Sequence, residues 1–435
     1  MNKFYRFLPL VIAFLLLCAC GTTPDMAGAL NPQIVTPDAG EVTPASTPEP
    51  TPEVTPEPTP EPTPEPTPEP TPEPEAEELT EDLTLTNDYL GDCSLFLDGE
   101  YDSYYEFSLE ETLTIESETP MGSLWLIWND LPGEWILTME DGTELVYGKD
   151  GFLHEYVKLD TPCRKVTITF GDGMELCDVY AFSQGSAPDW VQVWLPPWEK
   201  ADMVLLPTHA DDDILFFGGI IPHYGGELGL KVQVVYMTNH WNEQPRPHEL
   251  LDALWCAGAV AYPVVSPFND VYADDLDEAL SIYGQEDFVE FQVEILRRFQ
   301  PSVIVCHDED GEYGHGVHML NTYCMQIAVE AAADPGQYTD SADEYGAWDT
   351  PKMYIHLYGD DPCVMDWNIP LQRFDGRTAL EVAREAYTYH VSQQQWAFSV
   401  EEEGYGDCRI FGLYRSTVGE DTGINDLMEH IETRY

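Results

Sequence analysis

The stretch that decides the fold is Val204-Leu205-Leu206-Pro207-Thr208-His209-Ala210-Asp211-Asp212-Asp213, in which an apolar run meets one histidine and three carboxylates. A short aliphatic run that ends in a turn is typical of a central strand in a parallel sheet. Apolar residues then recur at helical spacing over 214–226, which predicts a helix. Ligands of such sheets bind at the carboxyl ends of the strands, so His209 to Asp213 should face a crevice. Imidazole and carboxylates at that place indicate a metal site.

The chain from Ala201 onward continues this alternation of strand and helix. Strands are predicted over 231–238, 302–306 and 352–357, and helices over 246–257, 287–299, 319–333 and 378–389. The alternation predicts a Rossmann-like, doubly wound α/β domain over 200–435, with a mostly parallel sheet. A second loop rich in histidine and carboxylate, His307 to His318, follows a predicted strand. The two loops could therefore converge on one crevice.

Residues 83–190, called the β module below, have a different pattern. Short alternating runs, such as Leu124-Trp125-Leu126-Ile127-Trp128, are separated by turns that contain Gly, Asp or Pro. This spacing predicts an all-β sandwich, and the pattern resembles galactose-binding-like modules. Two interpretations stay open. The module could bind glycans through exposed aromatic rings, or it could be a spacer domain in which Trp125 and Trp128 belong to the core.

The first 20 residues have the pattern of a bacterial lipoprotein signal peptide. Lys3 and Arg6 precede an apolar segment that is short for a membrane span, and Leu17-Cys18-Ala19-Cys20 resembles a lipobox. We expect export and a lipid anchor on Cys20, at the extracellular face of the cytoplasmic membrane. An ordinary signal peptide or an uncleaved anchor is the alternative. Residues 21–82, with their Thr-Pro-Glu-Pro repeats, predict an extended, disordered linker.

The net charge limits the classes of possible partners, and the cysteine content bears on disulfides and on thiolate metal sites. The formal net charge is −62, from 80 acidic and 18 basic residues. Such a field disfavours nucleic acid and polyanionic glycans, which are bound through cationic side chains. Ten cysteines are present, and those outside the signal peptide permit disulfides whose pairing the sequence does not give. No Cys-x-x-Cys pair occurs, which argues against a thiolate zinc site.

Four motifs resemble those of the PIG-L/LmbE family of zinc-dependent N-acetylglucosamine deacetylases. His209-Ala210-Asp211-Asp212 is similar to the family's first motif, and Gly311 to His318 is similar to its second. Arg246-Pro247-His248-Glu249 resembles its Arg-x-x-Glu element, and Tyr389-His390-Val391-Ser392-Gln393 its late His-x-Ser-Gln element. The resemblance covers about residues 201–419, and the motifs occur in the family's order.

This resemblance implies a metal site and a base. It implies one Zn²⁺ per chain, bound by His209, Asp212 and His318, with a position left for water. Asp211 is implied as the general base that deprotonates the metal-bound water.

The resemblance also implies roles for residues around the metal. Tyr313 and His315 would stabilise the oxyanion, and a protonated His315 could hand a proton to the leaving amine. Arg246 and His390 are candidate substrate-binding residues, although an exposed ion pair between Arg246 and Glu249 is an equally valid interpretation. Asp213 is better interpreted as a helix cap.

The sequence departs from the commonest form of the family in two places. Ala210 replaces a proline in the first motif, and Gly316-Val317 replaces the Pro-Asp between the two histidines of the second. The missing aspartate removes a carboxylate that could orient a histidine. His307 or Asp310 could compensate for it. The segment around Trp241 is expected to line the pocket.

These observations predict a hydrolase that removes N-acetyl groups from glycans or glycoconjugates containing N-acetylglucosamine, outside the cell. An N-acetylated sugar is the expected partner, and nucleic acid is not. Two alternatives stay open: a glycan-binding surface lipoprotein without turnover, and an amidase for another exported substrate, such as a peptide or a peptidoglycan fragment. A protein that only binds glycans does not need Asp211 as a base, which favours the enzyme.

Overall fold

The computed structural model describes residues 73–432. The predicted signal peptide, the predicted lipidation site Cys20 and most of the predicted linker lie outside these residues. The described chain is a mixed α/β structure with two seven-stranded sheets, which confirms the predicted class at that level. No helix within 73–432 has the length and the apolar character needed to span a membrane. The eight cysteines in this range are free thiols.

The first sheet is built by the β module, and all its strand pairs are antiparallel. Its strand order is β2-β7-β3-β6-β4-β5, with β1 paired to β3. The alternation that predicts these strands also separates the side chains of β3, because Trp128 lies in the main core and Trp125 in a smaller cluster with Phe182. The strands are β1 (Thr84–Asn87), β2 (Tyr105–Phe107), β3 (Thr112–Trp128), β4 (Trp135–Met139), β5 (Glu144–Tyr147), β6 (His154–Thr169) and β7 (Met174–Phe182).

Residues 73–82, placed by the sequence at the end of the linker, pack against the β module. The backbone N–H of Ala76 donates to the carbonyl of Ser186, and that of Leu79 donates to the carbonyl of Ala181. The side chains of Ala76 and Leu79 are buried. The packed part of the chain therefore begins before Leu83.

The second sheet is mostly parallel and has the order β10-β9-β8-β11-β12-β14-β13. The five strands from β10 to β12 pair in parallel, and β14 and β13 are antiparallel at one edge. The chain runs outward from β8 through β9 to β10, and then restarts on the other side of β8 with β11. A crevice forms at such a reversal, outside the carboxyl ends of the two central strands. The strands are β8 (Met203–Leu205), β9 (Val232–Tyr236), β10 (Val264–Val265), β11 (Val303–Cys306), β12 (Lys352–His356), β13 (Cys363–Val364) and β14 (Ile410–Ser416).

Alternate residues of these strands point into two different cores, so both faces of the sheet are covered. Leu205 and Val305 lie in a core shared with the β module, and Val204 and Ile304 lie in a core with helices α4 and α5. The helices are α1 (Asp212–Leu215), α2 (Arg246–Cys256), α3 (Leu276–Tyr283), α4 (Gln285–Phe299), α5 (Gly316–Ala333), α6 (Thr339–Tyr345) and α7 (Ala379–Tyr387).

The prediction of one continuous helix over 214–226 is wrong. The α-helix ends at Leu215, and a π-helical segment, Ile221–Glu227, follows after a break. Gly218 in the break has φ +49°, a conformation that favours glycine. A Cβ on Gly218 would lie 2.6 Å from Cys408 Sγ, and one on Gly219 would lie 2.5 Å from a ring carbon of Trp367. These two positions therefore have no room for a side chain, and both lie in the break.

Candidate metal centre

Two loops meet at the crevice between β8 and β11. The first follows β8 and carries His209, Asp211 and Asp212, and the second follows β11 and leads into α5, which carries His318. All four side chains are at most 6 % exposed. The structure therefore brings the two predicted motifs together, although they are about a hundred residues apart in sequence.

The three predicted ligands present one donor atom each to a common point. His209 Nδ1 lies 3.0 Å from Asp212 Oδ2 and 3.0 Å from His318 Nε2, and the last two atoms are 3.2 Å apart. Donors around a tetrahedral zinc ion, at metal–ligand distances of 2.0–2.1 Å, lie about 3.3 Å from one another. This triangle has the size of one face of such a tetrahedron, so the residues fit the metal.

Two further histidines lie beside the triangle and form other possible ligand groups, His307 with Asp212 and His318, and His315 with His209 and His318. His307 is less suited to bind a cation, because its Nε2 accepts from the backbone N–H of Thr208 at 2.9 Å and its Nδ1 is 2.7 Å from Glu312. His315 Nδ1 accepts from the backbone N–H of Val317 at 3.2 Å, so His315 could offer its Nε2. The candidate ligands are therefore His209, Asp212 and His318, with His315 next to them.

Each ligand histidine has a carboxylate at its second nitrogen. His318 Nδ1 donates to Glu312 at 2.8 Å, which leaves its Nε2 lone pair directed at the triangle. His209 Nε2 lies 3.3 Å from Asp270 Oδ1. Carboxylates at this position fix the tautomer and the orientation of a metal-binding imidazole. Both contacts are therefore of the kind found around metal ions in proteins.

Glu312 is the hub of a buried cluster that we call the Glu312 cluster, made of Glu312, His307, His318 and His356. One carboxylate oxygen lies 2.7 Å from His307 Nδ1 and 2.8 Å from His318 Nδ1, and the other lies 2.7 Å from His356 Nδ1. All four side chains are fully buried. The three imidazoles hold the pKa of Glu312 well below its usual value, although burial alone would raise it.

Negative charge dominates the triangle. Burial disfavours a charged imidazole, but Asp212 and Asp270 outweigh it and raise the pKa of His209 to about 10. Asp212 and Glu312 likewise raise the pKa of His318 against the effect of burial. Burial also opposes the ionisation of Asp212, yet His318 and His209 hold its pKa well below the usual value. A site that attracts protons this strongly also attracts a cation.

Asp211 lies beside the triangle and faces an arginine. Burial, together with Asp212, raises the pKa of Asp211 to about 6, while Arg246 opposes this shift. The Arg246 guanidinium lies 3.6 Å from Asp211 Oδ1, and its other terminal nitrogen lies 3.1 Å from Glu243 Oε2. Arg246 therefore contacts the predicted base, and the alternative of an exposed ion pair between Arg246 and Glu249 is wrong.

Glu249 instead links the Arg-x-x-Glu element to the His-x-Ser-Gln element. It is buried, and its carboxylate accepts from the backbone N–H of Ser392 at 2.7 Å and from the Ser392 hydroxyl at 2.6 Å. The adjacent His390 is 1 % exposed, and its Nε2 has no hydrogen-bond partner within 73–432. Burial, and next the charge of Arg246, lower the pKa of His390 to about 3. His390 is therefore a neutral imidazole near Arg246.

Tyr313 and His315 form a wall of the crevice next to His318. The Tyr313 ring lies 5.5 Å from the ring of His318, and the residue is 43 % exposed. Its φ of +47° is unusual for a bulky residue, and such backbone is concentrated at functional sites. Burial and the charge of His209 lower the pKa of His315 to about 3. With Nδ1 accepting a hydrogen bond, a neutral His315 carries its proton on Nε2.

Two sequence-based expectations need correction here. Asp213 caps no helix, because α1 begins one residue earlier and the Asp213 carboxylate, 1 % exposed, lies inside the helix, where burial raises its pKa well above the usual value. Asp310 is exposed, so it cannot replace the missing aspartate of the second motif. His307 is buried, but it contacts Glu312 and not His315.

Several buried groups at the site were missed by the sequence analysis. Glu312 lies inside the second motif, and its position six residues before a ligand histidine was the available signal. Asp270 and His240 form a neighbouring group with Glu243 that could also hold a cation. His240 adjoins Trp241, whose segment the sequence predicts to line the pocket, whereas nothing in the sequence around Asp270 or His356 indicates that they reach the crevice.

Comparison with known proteins points to sugar deacetylases. No family model matches the chain. A 1D-myo-inositol 2-acetamido-2-deoxy-α-D-glucopyranoside deacetylase 2 from Saccharopolyspora erythraea is 27% identical over 177 residues, which cover 35% of this chain and 63% of that enzyme. The deacetylase of the same type from Rhodococcus jostii is 26% identical over 243 residues, covering 44% of this chain and 81% of that enzyme.

Among solved structures, the N,N'-diacetylchitobiose deacetylase of Pyrococcus horikoshii matches with 19% identity and a TM-score of 0.35, over 46% of this chain and 76% of that chain. The chain spans less than two thirds of the Saccharopolyspora enzyme, so the match covers only a part of each protein. On the two sequence matches, the chain is similar to deacetylases of acetamido sugars.

Proposed function

We propose that this protein is a zinc-dependent hydrolase that removes N-acetyl groups from glycans or glycoconjugates containing N-acetylglucosamine. In this proposal, a Rossmann-like catalytic domain follows a β-sandwich module, and a lipid on Cys20 holds the protein at the outer face of the cytoplasmic membrane. The observation that carries the activity is the triangle of His209, Asp212 and His318, with a carboxylate behind each histidine and Asp211 beside it.

Different residues of the crevice have different roles in amide hydrolysis. A zinc ion held by the triangle would polarise the amide carbonyl and bring the pKa of water near 7. The Asp211 carboxylate, next to the triangle, accepts the proton of the attacking water, and Arg246 holds that carboxylate in place.

Two groups on the wall of the crevice are placed to donate hydrogen bonds. The Nε2–H of neutral His315 and the hydroxyl of Tyr313 would stabilise the negative charge that develops on the carbonyl oxygen. Each preorganised donor of this kind is worth on the order of a hundredfold in rate. Burial raises the pKa of Tyr313, so its hydroxyl keeps the proton that it donates.

Acetate release is the direct test. The full chain, loaded with zinc, is incubated with N,N'-diacetylchitobiose, and acetate is measured beside Asp211→Asn with its bound zinc quantified. We expect release by the wild type and a loss of at least about a hundredfold in the variant with unchanged zinc content. Bound zinc without acetate release would favour a glycan-binding protein. The absence of stoichiometric metal from the wild type would contradict both functions.

A further inference from the structure

A large cleft lies outside the catalytic crevice, between the β module and the α/β domain. Its volume is about 860 Å³, inside the range of roughly 300–1,000 Å³ found for small-molecule sites. Aromatic side chains come from both parts of the protein and from the segment that connects them: Tyr101, Trp125, Tyr180, Trp190, Trp198 and Trp255. The concave shape and the aromatic walls indicate a ligand with flat, apolar faces.

Trp190 is the most accessible of these rings, with 47 % of its surface exposed. It packs edge-on against Trp125 at 5.6 Å and against Tyr180 at 5.9 Å, so its orientation is fixed while one side stays open. A rigid, half-exposed indole can stack on the C–H face of a sugar ring at little entropic cost. Trp190 therefore offers a stacking platform.

The cleft also has hydrogen-bonding groups for hydroxyls. The Nε1 atoms of Trp125 and Trp198 are buried, so these two rings contribute apolar surface to the cleft and no accessible donor. The donors and acceptors come from charged side chains of the lining, which are two arginines and four carboxylates: Arg373, Arg377, Asp189, Asp252, Asp375 and Glu385.

This mixture of charges suits a neutral ligand. Arg377 forms an ion pair with Glu385, so part of the positive charge is compensated within the cleft. Carboxylates accept from sugar hydroxyls and guanidinium groups donate to them, whereas a polyanion would be repelled by the strongly acidic chain.

Helix α2 connects the cleft with the crevice. Its first residue, Arg246, contacts Asp211, and Asp252 and Trp255 near its other end line the cleft. At 1.5 Å per residue, Trp255 lies about 14 Å along the helix from Arg246. A single sugar cannot contact both places, but a chain of several sugars can.

We propose that this aromatic cleft is a second carbohydrate site that binds a neutral oligosaccharide, namely a distal segment of the N-acetylated glycan. The choice of an N-acetylated sugar rests on the proposed function, whereas the site itself rests on the cleft. The stacking surface is Trp190, and the charged side chains that line the cleft supply hydrogen bonds.

The test measures binding of tetra-N-acetylchitotetraose by calorimetry to the full chain that carries Asp211→Asn, so that turnover does not consume the ligand. Adding Trp190→Ala should weaken binding about tenfold, the scale of one lost aromatic contact. Trp190→Phe should lose less, because it keeps a ring. Tyr89→Ala, which removes a 77 % exposed ring of the same module outside the cleft, should have no effect. Binding of the monosaccharide N-acetylglucosamine should not change with Trp190→Ala.

Two results separate this site from the catalytic proposal. A loss of tetrasaccharide affinity in Trp190→Ala, with no acetate release by the wild type, would support the cleft and contradict the enzyme. Acetate release with equal tetrasaccharide affinity in Trp190→Ala and Tyr89→Ala would support the enzyme and overturn the cleft. Absence of any tetrasaccharide binding would also overturn the cleft.

Discussion

The protein buries histidines in two places that differ in the charge around them. In the Glu312 cluster, three imidazoles share one carboxylate. Where the β module meets α2, His154 and His248 are 2.9 Å apart and form what we call the interface pair. There His154 Nδ1 lies 2.7 Å from the neutral amide of Gln192, and the carboxylate of Asp252 is farther away, at 3.9 Å. Both groups are shielded from water, so the comparison shows what a carboxylate in hydrogen-bond contact adds to burial.

Burial alone makes an imidazole neutral, and two carboxylates together can reverse this. Burial lowers the pKa of His154 to about 4 and that of His248 well below its usual value. Burial also lowers the pKa of His307, although Glu312 opposes the shift, whereas Asp212 and Glu312 together raise the pKa of the equally buried His318. The triangle, which shares His318 with the Glu312 cluster, is therefore suited to hold a cation, whereas the interface pair is suited to hold two protein surfaces together.

The hydrogen-bond direction in the interface pair follows from its neighbours. Gln192 Oε1 also accepts from Trp194 Nε1, so it is an acceptor for His154 Nδ1–H. His154 Nε2 then accepts from His248 Nδ1–H, and His248 Nε2 has no partner within 73–432. The ring protons of the interface pair are then assigned with both rings neutral, and the one open lone pair, on His248 Nε2, is too few donors for a metal site.

The largest contrast is expected from removing one histidine of each kind. His318→Gln deletes a ligand of a site whose total binding free energy is on the order of 10 kcal/mol, so bound zinc should fall from about one per chain to a trace. His154→Gln, at an equally buried histidine, should keep its zinc. Metal analysis after dialysis measures both, with circular dichroism to check folding. Stoichiometric zinc in His318→Gln would contradict the ligand assignment.

A smaller effect on zinc binding is expected from replacing Glu312, the carboxylate that contacts His318. Glu312→Gln keeps the side-chain shape but removes the charge that orients His318, so zinc affinity should fall ten- to a hundredfold. Glu155→Gln is the matched control, since Glu155 is a buried carboxylate of the β module that accepts from Trp128 and Trp135. Competition with a chromophoric chelator gives the affinities. Equal zinc affinity in Glu312→Gln and wild type would show that the cluster is only structural.

The interface pair should appear in the pH dependence of stability. Unfolded His154 takes up a proton near pH 6.5 and folded His154 near pH 4, so between these values the unfolded state binds more protons. Stability contributed by this group is therefore lost as the pH falls from 6.5 to 4, by up to about 1.4 kcal/mol per pH unit. His154→Gln removes this contribution.

The measurement compares how steeply the free energy of unfolding changes with pH in the wild type and in His154→Gln, because other groups also titrate between pH 4 and 6.5. Burial raises the pKa of nearby Asp252 to about 7, so its own contribution has the opposite sign and is common to both proteins. Urea unfolding at several pH values between 4.5 and 6.5 should give a less positive slope of stability against pH in His154→Gln. Identical slopes would mean that His154 titrates normally in the folded protein.

The sequence predicts those features that depend on neighbours along the chain. Short apolar runs locate β8 and β11, and the spacing of the first motif places His209 and Asp212 on one turn, where they are 3.0 Å apart. The features that were missed depend on contacts between distant residues. Glu312 contacts His356, which lies 44 residues later.

Long-range packing also explains the other differences. The break at Gly218 lies where a side chain would meet Cys408, and the interface pair joins residues that are 94 positions apart. No local pattern of apolar and polar residues predicts such contacts. The sequence therefore locates the candidate ligands better than the groups that contact them.

The smallest expected effect is that of Tyr101→Phe, which with Tyr101→Ala tests whether the interface pair is held by hydrogen bonds or by ring packing. Tyr101 stacks on His248 with ring centroids 4.3 Å apart, and its hydroxyl donates to Asp252 at 2.9 Å. Tyr101→Phe keeps the stack and loses only the hydroxyl, which should cost about 1 kcal/mol in the free energy of unfolding. Tyr101→Ala also loses the buried ring and should cost about 3 kcal/mol or more. Zinc content should stay at the wild-type level in both. If the two variants were equally destabilised, the hydroxyl rather than the ring would hold the β module to α2.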